Sequence, residues 1–317
     1  MTNSPGDEKP PAGGPAVTVR GLTRTFGDFR AVDTIDLDVA RGEVFGFLGP
    51  NGAGKSTTIR MLCGLLLPSS GTGSVGGYDI MTESEMIKKN IGYMSQRFSL
   101  YEDLTIEENI DFFSGIYGVP DEKKKERKEW VLDIAGLSEK RKAVTRTMAS
   151  GFKQRLALGC AVIHEPPIIF LDEPTSGVDP ISRRRFWNLI YEMSSRGTTV
   201  FVTTHYLEEA EYCDRLALIY RGKIIAEGRP DVMKKEHMHK EILEVSVERI
   251  VEALDVLGTE GFDAALFGNV IHATVDSADK AAPAIRSALD RANITVLNII
   301  TVRPSLEDVF VSLIEVS

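Results

Sequence analysis

The segment Gly49–Ser56 constrains the fold of this chain more than any other, because its pattern G-x-x-x-x-G-K-S is typical of a phosphate-binding loop. An apolar run, Val44–Leu48, precedes it, and the apolar residues Ile59 and Met61 lie in a helical segment that follows. A strand, a glycine-rich loop and a helix in this order direct backbone N–H groups and the positive end of the helix toward a phosphate. The pattern therefore predicts an α/β fold that binds a nucleoside triphosphate.

Each part of this loop has an expected role toward the nucleotide. Glycine permits the close backbone approach that a phosphate requires. Lys55 is expected to reach the β- and γ-phosphates, Ser56 to bind Mg²⁺, and Thr57 to donate a hydrogen bond to a phosphate oxygen. The predicted ligands are a nucleoside triphosphate and Mg²⁺, and the predicted nucleotide-binding residues of this segment are Gly49, Pro50, Asn51, Gly52, Ala53, Gly54, Lys55, Ser56 and Thr57.

The composition is that of a globular protein with a substantial core. The chain has 317 residues, of which 43% are hydrophobic and 26% charged, which is enough for one large domain and one small one. Its net charge of −9 argues against non-specific binding of nucleic acid, which requires a basic surface. The cysteines Cys63, Cys160 and Cys213 are too few and too far apart to predict a disulfide framework or a zinc site, and they favour a reducing cytoplasm.

Shifts in composition divide the chain into three parts, the first two of which are residues 1–16 and 17–236. Residues 1–16 are rich in proline, glycine and charge, so they are predicted to form a disordered tail. The nucleotide-binding domain, residues 17–236, begins with a pattern of alternating residues and glycine turns that is typical of an antiparallel sheet. Parallel strands buried on both faces are predicted where runs of apolar residues occur, at Ile168–Leu171, Thr199–Val202 and Arg215–Ile219.

A helical subdomain is predicted at about residues 98–160, inserted into the α/β core. The segment Thr105–Glu108 has the pattern of a capping box at the start of a helix. The stretch Asp121–Lys142 is dense in charges of both signs. A solvated helix face is favoured there over a contact site for acidic partners.

The third part, residues 237–317, is predicted to form a separate α+β domain. Its elements follow the order β-α-β-β-α-β, typical of a ferredoxin-like module, beginning with a strand at Glu241–Val247. The polar stretch Lys235–Lys240 contains His237 and His239, which could ligate a metal, but no third ligand is evident in the sequence. An exposed linker is therefore favoured at this boundary.

An acidic pair, Asp172 and Glu173, directly follows the apolar run Ile168–Leu171. In a phosphate-loop fold, the carboxyl end of a buried strand is the place where Mg²⁺ and the attacking water meet. Asp172 is expected to hold Mg²⁺ through water. Glu173 is expected to orient and polarise the attacking water as the general base, so the pair predicts hydrolysis of the nucleotide.

With the phosphate loop and this acidic pair in place, the chain resembles the ATPase subunit of ABC transporters over about residues 17–230. The resemblance implies that Gln96, after Gly-Tyr-Met-Ser, contacts Mg²⁺ and its water and senses a membrane partner. It implies that Asp179, in Ser-Gly-Val-Asp-Pro, crosses the interface of an ATPase dimer. It also implies that His205, in Val-Thr-Thr-His, contacts the γ-phosphate, so that Lys55, Gln96, Glu173 and His205 are the predicted catalytic residues.

The resemblance further implies an aromatic side chain that stacks on adenine. Phe26 lies well upstream of Lys55 and is the first candidate for this role, with Phe29 as its rival. Stacking on a flat base requires only a π-face, which a phenylalanine supplies.

One element departs from the family pattern. The family's signature reads LSGGQ, whereas Met148–Phe152 reads Met-Ala-Ser-Gly-Phe, so that Ala149 replaces the serine that meets the γ-phosphate bound by the opposite subunit. Loss of a hydrogen bond to a charged group costs about 1.5–3 kcal/mol. Ser150 and Gly151 are the predicted signature residues, and the Ser150 hydroxyl together with the positive helix end is expected to compensate in part, leaving a working site with a weakened clamp.

The resemblance implies an ATP-hydrolysing subunit that works as a dimer, an identical copy being favoured over a different relative as the second subunit. No run of about 18 apolar residues and no signal-peptide pattern are evident, so the membrane permease that it powers is expected to be a separate chain. The expected location is cytoplasmic, on the inner face of the bacterial cell membrane. Three stretches look most like ATPases of bacterial multidrug exporters, namely Tyr93–Thr105, Leu156–Pro180 and Thr203–Asp214. This resemblance predicts export of drugs or other small hydrophobic compounds.

Two alternatives stay open at this point. One is a soluble ABC ATPase that acts on ribosomes or DNA; a single cassette, the absence of a heptad arm and the acidic balance disfavour it. The other is the ATPase of an importer, which is disfavoured because the C-terminal module reads as α+β rather than all-β. That module resembles the accessory domain of many export ATPases through Leu306–Phe310, and no residue of the chain identifies the cargo.

Overall fold

The structure is a computed structural model that describes residues 13–96, 100–237 and 240–315. These residues divide between Arg229 and Pro230 into two compact units. Most of the predicted disordered tail, residues 1–12, lies outside the described residues, as does His239. None of the helices in the described ranges combines the length and the apolar character that are needed to cross a bilayer.

The first unit contains two sheets with helices packed around them. Its strands are β1 (Val17–Phe26), β2 (Phe29–Val39), β3 (Val44–Leu48), β4 (Ser70–Val75), β5 (Tyr78–Asp79), β6 (Ile91–Met94), β7 (Ile168–Asp172), β8 (Thr199–Thr204), β9 (Arg215–Tyr220) and β10 (Lys223–Gly228). Its α-helices are α1 (Lys55–Leu62), α2 (Ser84–Asn90), α3 (Ile106–Ile116), α4 (Asp121–Ala135), α5 (Ser150–Ala161) and α6 (Pro180–Ser195). Short 3₁₀ helices lie at Ser138–Lys140, Thr145–Thr147 and Leu207–Tyr212.

The two sheets confirm the predicted division of the α/β core. An antiparallel sheet has the order β2-β1-β4-β5, and a second sheet has the order β10-β9-β3-β8-β7-β6. All neighbours in the second sheet are parallel except β10, which pairs antiparallel with β9. Because these strands run parallel, their carboxyl ends lie at the same end of the sheet. The phosphate loop follows β3 and the acidic pair lies at the end of β7, so the two are close in space although about 120 residues separate them in the chain.

The parallel strands are buried on both faces, as their apolar runs predict. In β3 and β8, Phe45, Phe47 and Phe201 belong to the core on one face of the sheet. Val44 and Val200 belong to the core on the other face, where helices α5 and α6 pack. Alternate side chains of a strand point to opposite faces, which explains how one short strand contributes to two cores.

The helical subdomain has its own core between α3, α4 and α5. The predicted capping box is present: the Thr105 side chain accepts a hydrogen bond from the Glu108 amide, and Glu108 accepts from the Thr105 amide. The charged residues of α4 form ion pairs at its surface, such as Lys128 with Asp111 at 2.6 Å. Arg127 differs from them because it is buried and donates a hydrogen bond to the Ile163 carbonyl at 2.8 Å.

The second unit contains one antiparallel sheet of order β12-β13-β11-β14. Its element order from β11 to β14 is the predicted β-α-β-β-α-β. Helices α8 and α9 pack on each other and contribute to the same core. The elements are α7 (Pro230–His237), β11 (Glu241–Val247), α8 (Ile250–Thr259), β12 (Asp263–Phe267), β13 (Val270–Val275), α9 (Ala278–Arg291), β14 (Val296–Val302) and α10 (Leu306–Glu315).

Helix α7 corrects the predicted linker. The chain is helical as far as His237, whereas the polar composition of Lys235–Lys240 favours an exposed linker from residue 235. The helix forms because its few apolar residues share one side: Met233 is buried, and α7 packs against α10 within the second unit. A short amphipathic helix with so many charges is stabilised by tertiary packing rather than by its own sequence.

Candidate active site

The phosphate loop joins β3 to α1 with a backbone that only glycine accommodates at two positions. Gly54 precedes α1 with a φ of 110°, in the left-handed region. A Cβ atom at Gly54 would lie 2.4 Å from the Ala31 carbonyl oxygen, and one at Gly49 would lie 2.2 Å from the Ile219 carbonyl oxygen. The loop is therefore packed directly against neighbouring backbone, which fixes where its amide groups point.

Lys55 is buried at the base of this loop. Its Nζ atom donates hydrogen bonds to the carbonyl oxygens of Gly49 at 2.8 Å and Pro50 at 3.1 Å. The same atom lies 3.2 Å from Glu173 Oε1, which also is buried. A buried cation needs nearby oxygen atoms, and two carbonyl oxygens and one carboxylate oxygen surround Lys55 Nζ here. Phosphate oxygens could take the same positions around the ammonium group.

Ser56 and Asp172 lie side by side, as the sequence predicts. The Ser56 hydroxyl donates to Asp172 Oδ1 at 3.0 Å, and the Thr203 hydroxyl donates to the same oxygen at 2.7 Å. The sequence analysis did not identify Thr203, because Thr203 lies opposite Asp172 only through the parallel register of β7 and β8. Thr57 lies in the first turn of α1 and is half-buried.

The donor set around Asp172 fits Mg²⁺, which prefers hydroxyl and carboxylate oxygens. Ser56 and Asp172 each present an oxygen, and these two atoms are only 3.0 Å apart. Within the described residues there is no group of three or more His, Cys, Asp or Glu side chains that would form a metal cage. The site therefore suits an ion that takes its remaining ligands from nucleotide phosphates and water.

Glu173 is the centre of a second cluster. Its φ of 48° is left-handed, a conformation that costs a non-glycine residue about 1 kcal/mol or more. Its amide donates to the Thr203 hydroxyl at 3.0 Å, which holds this turn in place. Its Oε2 atom accepts a hydrogen bond from Gln96 Nε2 at 2.9 Å and lies 3.1 Å from His205 Nδ1. The structure thus brings together the four residues that the sequence analysis names as catalytic.

A buried carboxylate, Glu209, supports the segments on either side of this cluster. The Thr175 hydroxyl donates to Glu209 Oε1 at 2.5 Å, and Arg183 Nε lies 3.3 Å from the same oxygen. The Arg183 guanidinium also lies over the Tyr206 ring, 4.3 Å from its centroid. Sequence reasoning missed Glu209 because it stands in a run of acidic residues that resembles a solvated surface.

The signature residues and the Asp179 loop form one patch at the starts of α5 and α6. Ala149 occupies the N-cap position of α5 and makes no side-chain capping hydrogen bond. The exposed Ser150 hydroxyl donates to the Gly177 carbonyl at 3.5 Å, and Gly151 lies so close to Ser182 that a Cβ atom would come 2.4 Å from its hydroxyl oxygen. Asp179 caps α6. Its carboxylate accepts a hydrogen bond from the Ser182 amide, and this bond holds the pKa of the Asp179 carboxyl below its usual range.

Phe26 and Phe29 face each other at the tip of the β1–β2 hairpin, where both side chains are exposed. The Arg24 guanidinium lies over the Phe26 ring, 4.6 Å from its centroid. Exposure gives each ring a face that a base could stack on. The geometry does not choose between them, and the adenine role of Phe26 stays a prediction.

A sequence profile of the family described as ABC transporter matches residues 32–176. The probable multidrug ABC transporter ATP-binding protein YbhF of Escherichia coli is 50% identical over 233 residues, which cover 74% of this chain but 40% of YbhF. The daunorubicin/doxorubicin resistance ATP-binding protein DrrA of Streptomyces peucetius is 35% identical over 308 residues, which cover 94% of this chain and 92% of DrrA. The chain therefore spans less than half of YbhF and almost all of DrrA.

Solved structures agree with these relatives. The ATP-binding subunit of an ABC transporter superposes with a TM-score of 0.64 at 29% identity, covering 70% of this chain and 92% of that one. A dimeric ATP-binding cassette in a post-hydrolysis state with ADP and phosphate superposes with a TM-score of 0.61 at 25% identity, covering 67% of this chain and 98% of that one.

Proposed function

Because this chain belongs to the family of ABC transporter ATP-binding proteins, we propose that it hydrolyses ATP to power a separate membrane permease that exports drugs or other small hydrophobic compounds. The observation that carries the ATPase part is the convergence of Lys55, Gln96 and His205 on the carboxylate of Glu173. Export is supported by relatives that are named as drug-resistance and export ATP-binding proteins. No observation favours a role on ribosomes or DNA.

Binding of the triphosphate would use groups that are already in place. The amide groups of the loop and the N-terminal end of α1 would face the phosphates, and the glycines would allow their close approach. Lys55 would exchange its contacts with two carbonyl oxygens and Glu173 for the β- and γ-phosphate oxygens. This exchange would also release Glu173 from its cation, so that nucleotide binding frees the base.

Ser56 and Asp172 would hold Mg²⁺, with Asp172 acting through water and Gln96 near the same ion. When bound, the ion would neutralise charge on the phosphate oxygens. Glu173 would then accept the proton of the attacking water, and it would be held in place by the hydrogen bond from its amide to the Thr203 hydroxyl and by the hydrogen bond from the Gln96 side chain. His205 would contact the γ-phosphate with the edge of its ring that lies against Glu173 in this structure.

The Mg²⁺ requirement offers a direct test of the ATPase part. Purified chain should release phosphate from ATP in the presence of Mg²⁺, and EDTA should stop the release. A chain that binds ATP but releases no phosphate at any Mg²⁺ concentration, alone or in native membranes, would contradict the proposed activity.

Two such subunits would enclose two ATP molecules, each between the phosphate loop of one subunit and the signature patch of the other. Two observations on the patch of Ser150, Gly151 and Asp179 support such a contact: Ser150 is exposed, and the starts of α5 and α6 lie together. The dimeric cassette among the solved relatives supports this arrangement. An identical copy is the favoured second subunit.

Restoring the family serine should strengthen this clamp. Ala149→Ser would add an N-cap hydroxyl to α5, and it should tighten ATP-driven dimerisation by about 10- to 100-fold because one charged hydrogen bond is regained. Ser150→Ala should weaken dimerisation and lower ATPase activity. Cross-linking between the phosphate loop of one subunit and the signature patch of the other, with and without ATP, and a phosphate-release assay measure both effects. Unchanged activity in Ser150→Ala would overturn the compensating role of that hydroxyl.

The adenine contact is tested at the hairpin tip. Phe26→Ala should raise the dissociation constant for ATP by about 10-fold, the size of a typical loss of aromatic stacking on a base. Phe29→Ala is the matched control, since it removes an exposed ring from the opposite position of the neighbouring strand. Titration with a fluorescent ATP analogue distinguishes the two. If Phe29→Ala alone weakens binding, the assignment moves to Phe29.

Coupling to the permease would pass through the surface beside Gln96. A groove there is lined by Gln96, Leu100 and Met148 together with residues of α5, and it mixes apolar and polar side chains. Gln96 also touches Glu173, so this groove and the catalytic cluster share a residue. A permease seated in the groove would hold the chain on the inner face of the cell membrane.

A further inference from the structure

The three sheets end in six edge strands within the described residues, and one of them differs from the rest. Edge strands are normally protected from pairing by charges, by short length or by burial. Strands β2, β10 and β12 carry charged residues, β5 has two residues, and β6 has four that are mostly buried. Strand β14 has seven residues and no charge.

The uncharged strand β14 also exposes two large apolar side chains, beside the polar Asn298 and Thr301. Leu297 is 63% exposed and Ile300 is 43% exposed, although both belong to a β-branched and apolar sequence that suits a sheet interior. β14 pairs with β11 alone among the described strands, so its other side presents unpaired backbone groups. In a chain with 26% charged residues, a segment of seven residues would contain about two charges on average, and β14 contains none.

The pairing of β11 with β14 contains one irregularity, between Ser246 and Val247 of β11. It lies near the start of β14, where Leu297 has no opposite residue. The five residues from Asn298 to Val302 continue in regular register. The regular part of the edge is therefore long enough to receive another strand.

We infer that a second copy of this chain pairs with this edge, β14 against β14 in antiparallel orientation, so that two four-stranded sheets join into one of eight strands. A strand without charge meets its own copy without like-charge repulsion, which matters for a chain of net charge −9. Ile300 of each copy would then pack on the partner strand on the sheet face opposite α8 and α9.

The charges that flank the strand support an identical partner. Arg303 follows the last residue of β14, while Glu248 lies beside the first residues, where its amide donates to the Thr295 carbonyl at 3.3 Å. Both side chains are exposed, and neither forms an ion pair among the described residues. In an antiparallel pair, Arg303 of each copy lies at the end of the strand where the other copy carries Glu248.

This contact involves the second unit only and requires no nucleotide. It would keep two cassettes together after their ATP-dependent contact opens. It is independent of the proposed ATPase activity, and tests without nucleotide examine it separately.

Sedimentation of the full chain without ATP tests the inference. The wild-type chain should be a dimer, and Ile300→Lys should raise the dimer dissociation constant by about 10-fold or more, because each dimer loses two buried isoleucines. Leu266→Lys on the other edge strand and Val251→Lys on α8 are matched controls, since they replace apolar side chains that are 52% and 67% exposed. A monomeric wild-type chain, or an equal effect of Leu266→Lys, would overturn the inference.

Cross-linking covers the case in which a lysine at position 300 disturbs folding. The native thiols of Cys63, Cys160 and Cys213 are buried, so Ile300→Cys introduces one accessible thiol. A short bis-maleimide should join two copies of Ile300→Cys covalently and leave Leu266→Cys without a cross-link. Arg303→Glu should weaken the dimer, and adding Glu248→Arg should restore it. Cross-linking at position 266 alone, or no rescue by the double reversal, would contradict the proposed pairing.

Discussion

Glu173→Gln should lower the rate of ATP hydrolysis by about 10²- to 10⁴-fold while leaving ATP binding in place, since this is the usual contribution of a general base. The substitution preserves the shape of the side chain and its contacts with Gln96 and His205. It removes the negative charge that we propose accepts a proton from water. ATP should therefore bind and hold two subunits together without being consumed, which phosphate release and sedimentation with ATP in the Ile300→Lys background together measure.

Glu208→Gln is the matched control for this change. Glu208 is exposed, lies 35 residues further along the chain, and belongs to the same acidic run as the buried Glu209. Its substitution should leave hydrolysis at the wild-type rate. Hydrolysis within a factor of about 3 of wild type in Glu173→Gln would show that another group acts as the base, because such a factor is far below what general-base catalysis contributes.

Gly49→Ala should abolish ATP binding and destabilise the fold. The new Cβ atom would lie 2.2 Å from the Ile219 carbonyl oxygen, and the neighbour that must move is backbone of β9, which pairs with β3. Overpacking of this kind costs roughly 1–3 kcal/mol, and a shift of the loop would also displace the carbonyl that Lys55 contacts. Chemical denaturation gives the free energy of unfolding, and nucleotide titration gives the affinity.

Gly115→Ala provides the comparison for Gly49→Ala. Gly115 lies within α3, and a Cβ atom there would meet nothing within 4 Å beyond its chain neighbours and the backbone of its own helix. Alanine in a helix should leave the protein equally stable or more stable by up to about 1 kcal/mol. Equal denaturant midpoints and equal ATP affinities in the two variants would contradict the tight packing of Gly49 against the backbone of β9.

The parts of the site that lie within one continuous segment were predictable from the sequence. The phosphate loop combines a strand, two glycines with special geometry and a helix start within a single stretch, so its pattern is local. The family resemblance supplied Gln96 and His205, and the structure places both on Glu173. Their side chains meet because β6, β7 and β8 are neighbours in one sheet.

The residues that sequence reasoning missed are those whose role depends on distant neighbours. Thr203 reaches Asp172 only through the register of two parallel strands, and Glu209 reaches Thr175 across 34 residues. A threonine in a strand and a glutamate in an acidic run have no pattern that marks them. Helix α7 was missed for a related reason, since its packing against α10 outweighs its polar composition.

The most direct test of the transport role is recovery of this chain after cross-linking in native membranes, with identification of what accompanies it. The account predicts an integral membrane protein among the cross-linked partners, and loss of that partner when Gln96 and the groove beside it are altered. Recovery of ribosomal proteins or DNA-binding factors with no membrane protein would contradict the transport role, while leaving the chemistry of the ATP site intact.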